Sequence, residues 1–180
     1  MSSRSGFTGL VSRLMRASAR ALVPKSRRAA PARGGSEPGQ QRGTETHEVA
    51  PPARGALRIT YAPDRDGDPD AGEIVWTWVP YAENDGRGKD RPVLVIARQS
   101  AERVYVVRLT SKDRDGDRDF LPIGSGEWDS QRRPSWVDIE QIYSVHASGM
   151  RREAAALDLD RFVRVAAALQ KRYGWDVGNR

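Results

Sequence analysis

An arginine and two hydroxyl residues at the ends of apolar runs are the groups of this chain best suited to chemistry. Arg91 lies between a polar, glycine-containing loop at 81–90 and an apolar run at 92–97. A guanidinium held at a strand entrance can offer a fork of N–H donors to a phosphate, or it can form a structural salt bridge. Thr110 and Ser111 directly follow the next apolar run, and their hydroxyls can bond a phosphate or cap a turn. A phosphate site and a purely structural role both remain open for these residues.

Two further polar residues interrupt an apolar segment nearer the C-terminus. Glu140 and Gln141 lie within the segment 135–145, where side-chain alternation places them on opposite faces. A half-buried carboxylate in a strand needs a partner, and an arginine would serve. The chain has no cysteine and only two histidines, His47 and His146. Disulfides, thiolate nucleophiles and Cys-ligated zinc are therefore excluded, and a site that needs two imidazoles is not expected.

An aspartate-rich loop is the one segment that resembles a metal site. The loop DRDGDRD at 113–119 resembles part of a calcium loop, but it lacks the downstream glutamate and has arginines between its aspartates. We interpret it as a solvated, self-neutralised turn. We expect no metal and no cofactor in this protein.

Five segments with strand character and one amphipathic segment must position the candidate residues. The predicted strands are residues 73–79, 92–97, 104–109, 120–123 and 135–145. A helix is predicted from Asp158 as the N-cap to Gly174 as the residue after its last turn. Its predicted apolar face consists of Leu159, Phe162, Val163, Ala166, Leu169 and Tyr173. This order predicts a mainly β protein, a small closed barrel with a C-terminal helix packed on it.

The basic character of the chain resides in its N-terminal part. Residues 1–58 carry eleven Arg/Lys and three Glu, whereas the chain as a whole has a net charge of +6. The stretch 24–56 is rich in Pro, Gly, Ser and Arg, which predicts disorder. We therefore predict a disordered basic extension over 1–70 and a folded domain over 71–180. Within the extension, residues 7–23 have the spacing of a basic amphipathic helix, either a nascent one or one that docks on a partner or an anionic membrane surface.

Composition also bears on localisation. No apolar run is long enough to cross a membrane, and the N-terminus lacks the apolar core of a secretory signal. Together with the absence of cysteine, these features predict a cytoplasmic protein. A basic extension of this kind can contact nucleic acid or an anionic membrane surface.

Taken together, the segments from Gly72 to Trp175 resemble the MazF/PemK family of type II toxin–antitoxin ribonucleases. Five sequence blocks carry the resemblance, in the order in which the family has them. The blocks are GEIVW at 72–76, RPVLVI at 91–96, VYVVRLTSK at 104–112, DIEQIYSV at 138–145 and LDLDRFVRVAAALQKRYGW at 157–175. Each block alone is weakly specific, but five at the right spacings are much more so.

The resemblance implies a fold, an activity and a site. The implied fold is an SH3-like barrel with a C-terminal helix, usually in a homodimer, and the implied activity is metal-independent cleavage of single-stranded RNA that leaves a 2′,3′-cyclic phosphate. By position, Arg91 and Thr110 carry over as the catalytic residues, and Ser111, Glu140 and Gln141 as substrate-binding residues. A cognate antitoxin protein is implied as a partner, and family complexes also bind DNA. Two alternatives share the fold: a non-catalytic binding module tethered by its basic extension, and a CcdB-like topoisomerase poison.

Overall fold

Strands provide most of the regular structure. The computed structural model describes residues 39–64, 67–81, 83 and 87–178. In this part of the chain the elements are β1 (His47–Val49), β2 (Arg58–Thr60), β3 (Glu73–Pro80), β4 (Gly88–Arg98), β5 (Arg103–Thr110), β6 (Phe120–Gly124), β7 (Ser135–His146), β8 (Met150–Ala156), α1 (Leu159–Tyr173) and β9 (Asp176–Gly178). All five predicted strands and the predicted helix are present. The prediction of a mainly β fold with a C-terminal helix is confirmed.

Seven of these strands form one antiparallel sheet. Its order is β1-β7-β5-β4-β3-β8, with β6 also paired to β7, and β2 pairs with β9 in a separate parallel ladder. Among the described residues no ladder joins β8 to the opposite edge, so the prediction of a closed barrel is wrong on closure. Register shifts interrupt the ladders that join β3 to β8, β4 to β5 and β5 to β7. Such irregularities bend the strands, even in a sheet that does not close into a barrel.

Apolar side chains fill both faces of the central strands. Residues 93–96 of β4 are all buried, as expected for a continuous apolar run. Ile74, Leu94 and Ile96 pack on the side of α1. A second, valine-rich layer forms on the other face and consists of Val75, Val79, Val93, Val95, Val104, Val106, Tyr143, Val145 and Met150. The central strands are thus buried on both faces, so we expect a site near the ends of the strands.

The helix begins and ends where the sequence predicts. The Asp158 side chain accepts a hydrogen bond from the Arg161 N–H at 3.0 Å, and Gly174 closes the helix at φ 71°. The predicted apolar face is only partly correct. Leu159 and Val163 are 52% and 49% exposed, whereas Val165, which was not predicted, is fully buried. At about 100° per residue the buried stripe is centred near Leu169, and Val163 lies on its far border.

Residues 39–64 depart from the predicted extension. β1 pairs with β7, β2 pairs with β9, and Ile59 is 0% exposed in the core. The prediction of a disordered extension over 1–70 is therefore wrong for residues 39–64. The reason is that the few apolar side chains of this segment enter a core that later residues supply, which segment composition does not reveal. Residues 1–38, including the predicted helix at 7–23, lie outside the described residues.

The helix content of the described chain is confined to α1 and one short 3₁₀ turn. Within this described part, no helix is long and apolar enough to cross a membrane.

Candidate functional site

Three of the predicted site residues line one pocket. Its volume is about 330 Å³, and Arg91 of β4, Thr110 of β5 and the adjacent Ser111 all contribute to its wall. Val93 pairs with Arg108 across the β4–β5 ladder, so Arg91 and Arg108 lie on the same face of the sheet. We call this cavity the Arg91 pocket.

Arg91 has no anionic partner among the described residues. It is half-buried, and the charged or ionisable groups that act on it are Arg108, Tyr81 and Tyr143. Burial, and then the positive charge of Arg108, lower the pKa of the Arg91 guanidinium. The alternative of a structural salt bridge therefore finds no partner in the described structure. An unpaired, partly desolvated guanidinium in a pocket is suited to bind an anion.

The pocket concentrates positive charge in a domain that is nearly neutral. Its ionisable wall residues, other than serine and threonine, are Lys89, Asp90, Arg91, Arg108, Lys112, Arg114, Asp129 and Arg133. Asp129 pairs with Arg133 at 2.7 Å, and Asp90 pairs with Arg151. Both carboxylates are thus already engaged by arginines, so the local excess of cations favours an anionic ligand more than the net charge of the domain suggests.

Aromatic side chains border the same pocket. Trp76, Phe120 and Trp128 contribute to its wall. Trp128 is buried and its indole N–H donates to the Ser135 hydroxyl at 3.1 Å, while the Arg114 guanidinium lies 4.5 Å from the Phe120 ring centre. Cationic pockets with aromatic walls are typical of proteins that bind single-stranded nucleic acids. Of these three rings, the half-buried Trp76 and Phe120 are exposed enough for a base to stack on, whereas Trp128 is not.

Thr110 also stabilises the turn after β5. Its hydroxyl oxygen accepts a hydrogen bond from the Lys112 backbone N–H at 3.1 Å. This is the turn-capping role that the sequence left open. A hydroxyl group has one hydrogen to donate as well, so Thr110 can still donate to a ligand in the pocket. Ser111 is exposed and carries no such contact within the described chain.

The other two predicted residues lie elsewhere. Gln141 lines a second cavity of about 380 Å³, which we call the Tyr81 pocket. There its amide donates to the Glu48 carboxylate at 3.4 Å and accepts from the Tyr143 hydroxyl at 3.1 Å. Glu140 is exposed, with its carboxylate 3.8 Å from Arg172. The structure therefore groups Arg91, Thr110 and Ser111, places Gln141 in a neighbouring cavity, and leaves Glu140 outside both.

Asp138 is the buried carboxylate that needs an arginine, and that arginine is Arg108. Its Oδ2 accepts from the Arg108 Nε at 2.7 Å, and its Oδ1 accepts from the backbone N–H groups of Glu140 and Gln141. Simple alternation failed here because Arg108 of β5 faces residues 138–141 of β7 between two regular pairs. Arg108 is visible in the sequence as a charged residue within an apolar run, but the register that places it beside Asp138 is not.

The aspartate-rich loop and the histidines contribute no metal cluster. Asp115 accepts from the Trp136 indole N–H at 3.1 Å, and Asp119 pairs with Arg172 at 2.5 Å. In the part of the chain that the structure describes, no three His, Asp or Glu side chains are placed to hold a metal ion. His146 lies 3.4 Å from Glu102 and lines neither cavity.

The buried hydroxyl of Tyr143 makes the stability of the fold sensitive to alkaline pH. Burial raises the pKa of its hydroxyl to about 12. An unfolded tyrosine titrates near pH 10, so the native state holds this proton more tightly than the unfolded chain. The stability contributed by the protonated group is therefore complete below about pH 10 and is lost as the pH rises toward 12.

We expect the unfolding free energy of the wild type to fall more steeply between pH 10 and 12 than that of Tyr143→Phe. Guanidinium unfolding at pH 9, 10 and 11 measures both slopes. Tyr105→Phe in β5 controls for the loss of a tyrosine hydroxyl elsewhere. Equal slopes for the wild type and Tyr143→Phe would contradict this expectation.

Comparison with known proteins places the chain in a family. Residues 70–172 match the family described as PemK-like, MazF-like toxin of type II toxin–antitoxin system. No curated protein matches the chain.

Several solved structures are similar to it. A MazE–MazF complex from Deinococcus radiodurans is 21% identical, covers 59% of this chain and 96% of its own, and superposes with a TM-score of 0.45. The Mycobacterium tuberculosis toxin MazF-mt6 is 18% identical over 57% of this chain and 98% of its own, with a TM-score of 0.41. An endoribonuclease from a mycobacterial species is 14% identical over 60% and 94%, with a TM-score of 0.43.

The family match covers more than half of the 180 residues. It includes the first four sequence blocks completely and the fifth as far as residue 172. The resemblance seen in the sequence is thereby confirmed, and the chain belongs to the family of PemK-like, MazF-like toxins of type II toxin–antitoxin systems.

Proposed function

We propose that this protein is an endoribonuclease toxin that cleaves single-stranded RNA, including mRNA, without a metal ion. One observation carries the proposal: Arg91 is half-buried in a cationic, aromatic-walled pocket and has no anionic partner among the described residues. Membership of the toxin family supports the same activity. The alternatives with the same fold, a non-catalytic binding module and a topoisomerase poison, do not explain why the arginine and the strand-end hydroxyls share a pocket.

The proposed reaction is attack of the 2′-oxygen on the adjacent phosphorus. The new bond joins O2′ to phosphorus, the bond from phosphorus to O5′ breaks, and the products are a 2′,3′-cyclic phosphate and a 5′-hydroxyl. Arg91 would stabilise the negative charge that develops on the non-bridging oxygens. Because its pKa is lowered, it is also a better proton donor to the departing O5′ than an ordinary arginine. Thr110 would orient a phosphate oxygen through its remaining hydrogen, and Ser111 and Gln141 would contact flanking parts of the substrate.

Removal of the proton from the 2′-hydroxyl is the weak point of this site. No histidine lines the Arg91 pocket in the described structure. The hydrogen bond from Arg133 lowers the pKa of Asp129, which makes that carboxylate a poor base. Asp90 is engaged by Arg151. Proton removal is therefore left to water, and positioning must supply much of the rate enhancement.

The test is cleavage of a long single-stranded RNA by the full chain in the presence of EDTA, with mapping of the fragment ends. We expect discrete cuts with cyclic-phosphate and 5′-hydroxyl ends. DNA of the same sequence, and RNA with one 2′-deoxy substitution at a mapped cut, should resist. Cuts that leave 5′-phosphates would contradict the mechanism, and a folded chain that binds RNA without cutting it would favour the binding-module alternative.

We further propose that the toxin acts in the cytoplasm as a homodimer and is neutralised by a cognate antitoxin. Type II toxins, the family to which this chain belongs, are defined by such a partner. The basic residues of the N-terminal segment would add contacts to nucleic acid or to an anionic membrane surface. Light scattering of the purified chain gives its oligomeric state, and co-purification with the product of a neighbouring short reading frame tests the antitoxin.

A further inference from the structure

Arg108 is the residue that the two cavities have in common. Among the described residues it alone contributes to the walls of both the Arg91 pocket and the Tyr81 pocket. Arg91 lines only the first cavity, and Gln141 lines only the second. A ligand that extends from one cavity into the other must therefore pass the Arg108 guanidinium.

Buried hydrogen bonds fix the position of Arg108. The Asp138 side chain is 2% exposed, and its Oδ2 lies 2.7 Å from both Nε and Nη2 of Arg108. The other carboxylate oxygen accepts from the backbone N–H groups of Glu140 and Gln141 at 2.9 and 3.2 Å. All polar atoms of this carboxylate are thus used to hold one guanidinium and the irregular segment of β7.

The same geometry leaves part of the guanidinium available. The Arg108 side chain is 26% exposed, and its Nη1 has no partner within the described chain. Arg91 and Arg108 lie on the same face of the sheet, where their like charges repel each other. A fixed guanidinium beside a second one on the same face of the sheet is suited to a polyanion with successive phosphates.

We propose that Arg108 binds a backbone phosphate of single-stranded RNA next to the one cleaved at Arg91, and that Asp138 is its positioning residue. The strand then runs from the Arg91 pocket past Arg108 into the Tyr81 pocket, where Tyr81 and Gln141 border the neighbouring nucleotide. This inference rests on the proposed ribonuclease function. It adds a substrate contact near the C-terminal end of β5, a role for Arg108 that neither the sequence analysis nor the family match assigns.

The test measures RNA binding as well as cleavage. The probe is a fluorescein-labelled 12-nucleotide RNA that carries one 2′-deoxy sugar at a mapped cut, which blocks cleavage. Its binding to the full chain is followed by anisotropy at several salt concentrations. Arg108→Gln combined with Asp138→Asn removes the cation without leaving a buried carboxylate unpaired. We expect about tenfold weaker binding and a salt slope smaller by about 0.7, the value for one phosphate contact on a single strand. Arg98→Ala is the matched control, because Arg98 at the end of β4 pairs with Asp70 and lines neither cavity.

Two single variants separate positioning from folding. Arg108→Lys can retain the pair with Asp138 but not the planar fork, and it should bind RNA more weakly while its denaturation midpoint stays close to that of the wild type. Asp138→Asn should raise KM for RNA several-fold and leave kcat nearly unchanged. If Arg108 and Asp138 served folding alone, their variants would have a lower denaturation midpoint. The molecules that remain folded would then bind RNA with the salt slope of the wild type.

The outcomes also separate this inference from the proposed function. Cleavage by the wild type, with binding and salt slope unaltered in the double variant and in Arg108→Lys, would overturn the inference and leave the ribonuclease in place. Binding that depends on Arg108 without any cleavage would support the inference and count against the ribonuclease. Absence of binding by the wild type would overturn both.

Discussion

Replacement of Arg91 with alanine is expected to lower the rate of RNA cleavage by a factor of about 100 to 1,000, the usual cost of losing one preorganised donor at a developing anion. In the proposed reaction the Arg91 guanidinium supplies both positive charge and N–H donors to the phosphate, whereas Arg108 is held by Asp138. Single-turnover cleavage of a labelled RNA measures this rate apart from binding. A variant within threefold of the wild type would remove Arg91 from the reaction.

The structure allows this experiment to be free of folding artefacts. Because Arg91 pairs with no carboxylate among the described residues, its removal leaves no buried charge behind, and the denaturation midpoint should change little. Arg91→Lys keeps a charge but loses the planar fork, so an intermediate rate is expected. Arg98→Ala removes the same side chain from the far end of β4, where it pairs with Asp70 at 3.4 Å, and should leave the rate unchanged.

Local patterns in the sequence were sufficient to predict most of the long strands of the main sheet. β3, β4, β5 and β7 each bring a long run of β-branched or aromatic residues, and the N-cap and C-terminal glycine define both ends of α1. The strands that were missed lack such a pattern. β1, β2 and β9 have three residues each, and β8 reads MRREAAA, in which alanine and charged residues disfavour a strand. These four strands exist because a partner strand is placed beside them by the rest of the fold.

The candidate site was predictable to a similar extent. The family resemblance brought Arg91, Thr110 and Ser111 together, and in the structure the antiparallel pairing places the start of β4 beside the end of β5. Arg108 and Asp138 could not be paired from the sequence, since the pair depends on an irregular register in β7. Sequence alternation assigned the need for an arginine to Glu140, whereas the bulged segment turns Glu140 outward and buries Asp138.

A chain that begins at residue 70 is expected to be less stable than the full chain by about 5 kcal/mol or more. It would lack Ile59 and Leu57, which are fully or almost fully buried, and each such side chain contributes about 1.5–3 kcal/mol. It would also lack the Pro52 carbonyl that accepts from the Trp175 indole N–H at 2.8 Å, and an unpaired buried donor costs about 1–3 kcal/mol. Urea unfolding of the two chains measures the difference.

The matched control is a chain that begins at residue 39, because it keeps every contact described above and should unfold close to the full chain. Ile59→Ala in the full chain isolates one part of the effect and should cost about 2–5 kcal/mol. Equal unfolding midpoints for the chains that begin at 39 and at 70 would show that residues 39–64 do not contribute to the stability of the fold.

The family match begins at residue 70, so a fragment cut at that boundary would omit β1 and β2 although both pair with strands inside it. Domains commonly have a total stability of about 5–15 kcal/mol, and a loss of this size would leave much of such a fragment unfolded. Inactivity of the fragment would then report unfolding and not the chemistry of Arg91. The full chain is therefore the form in which the Arg91 and Arg108 variants have to be compared, and the chain that begins at residue 39 is the shortest one for which we expect the same stability.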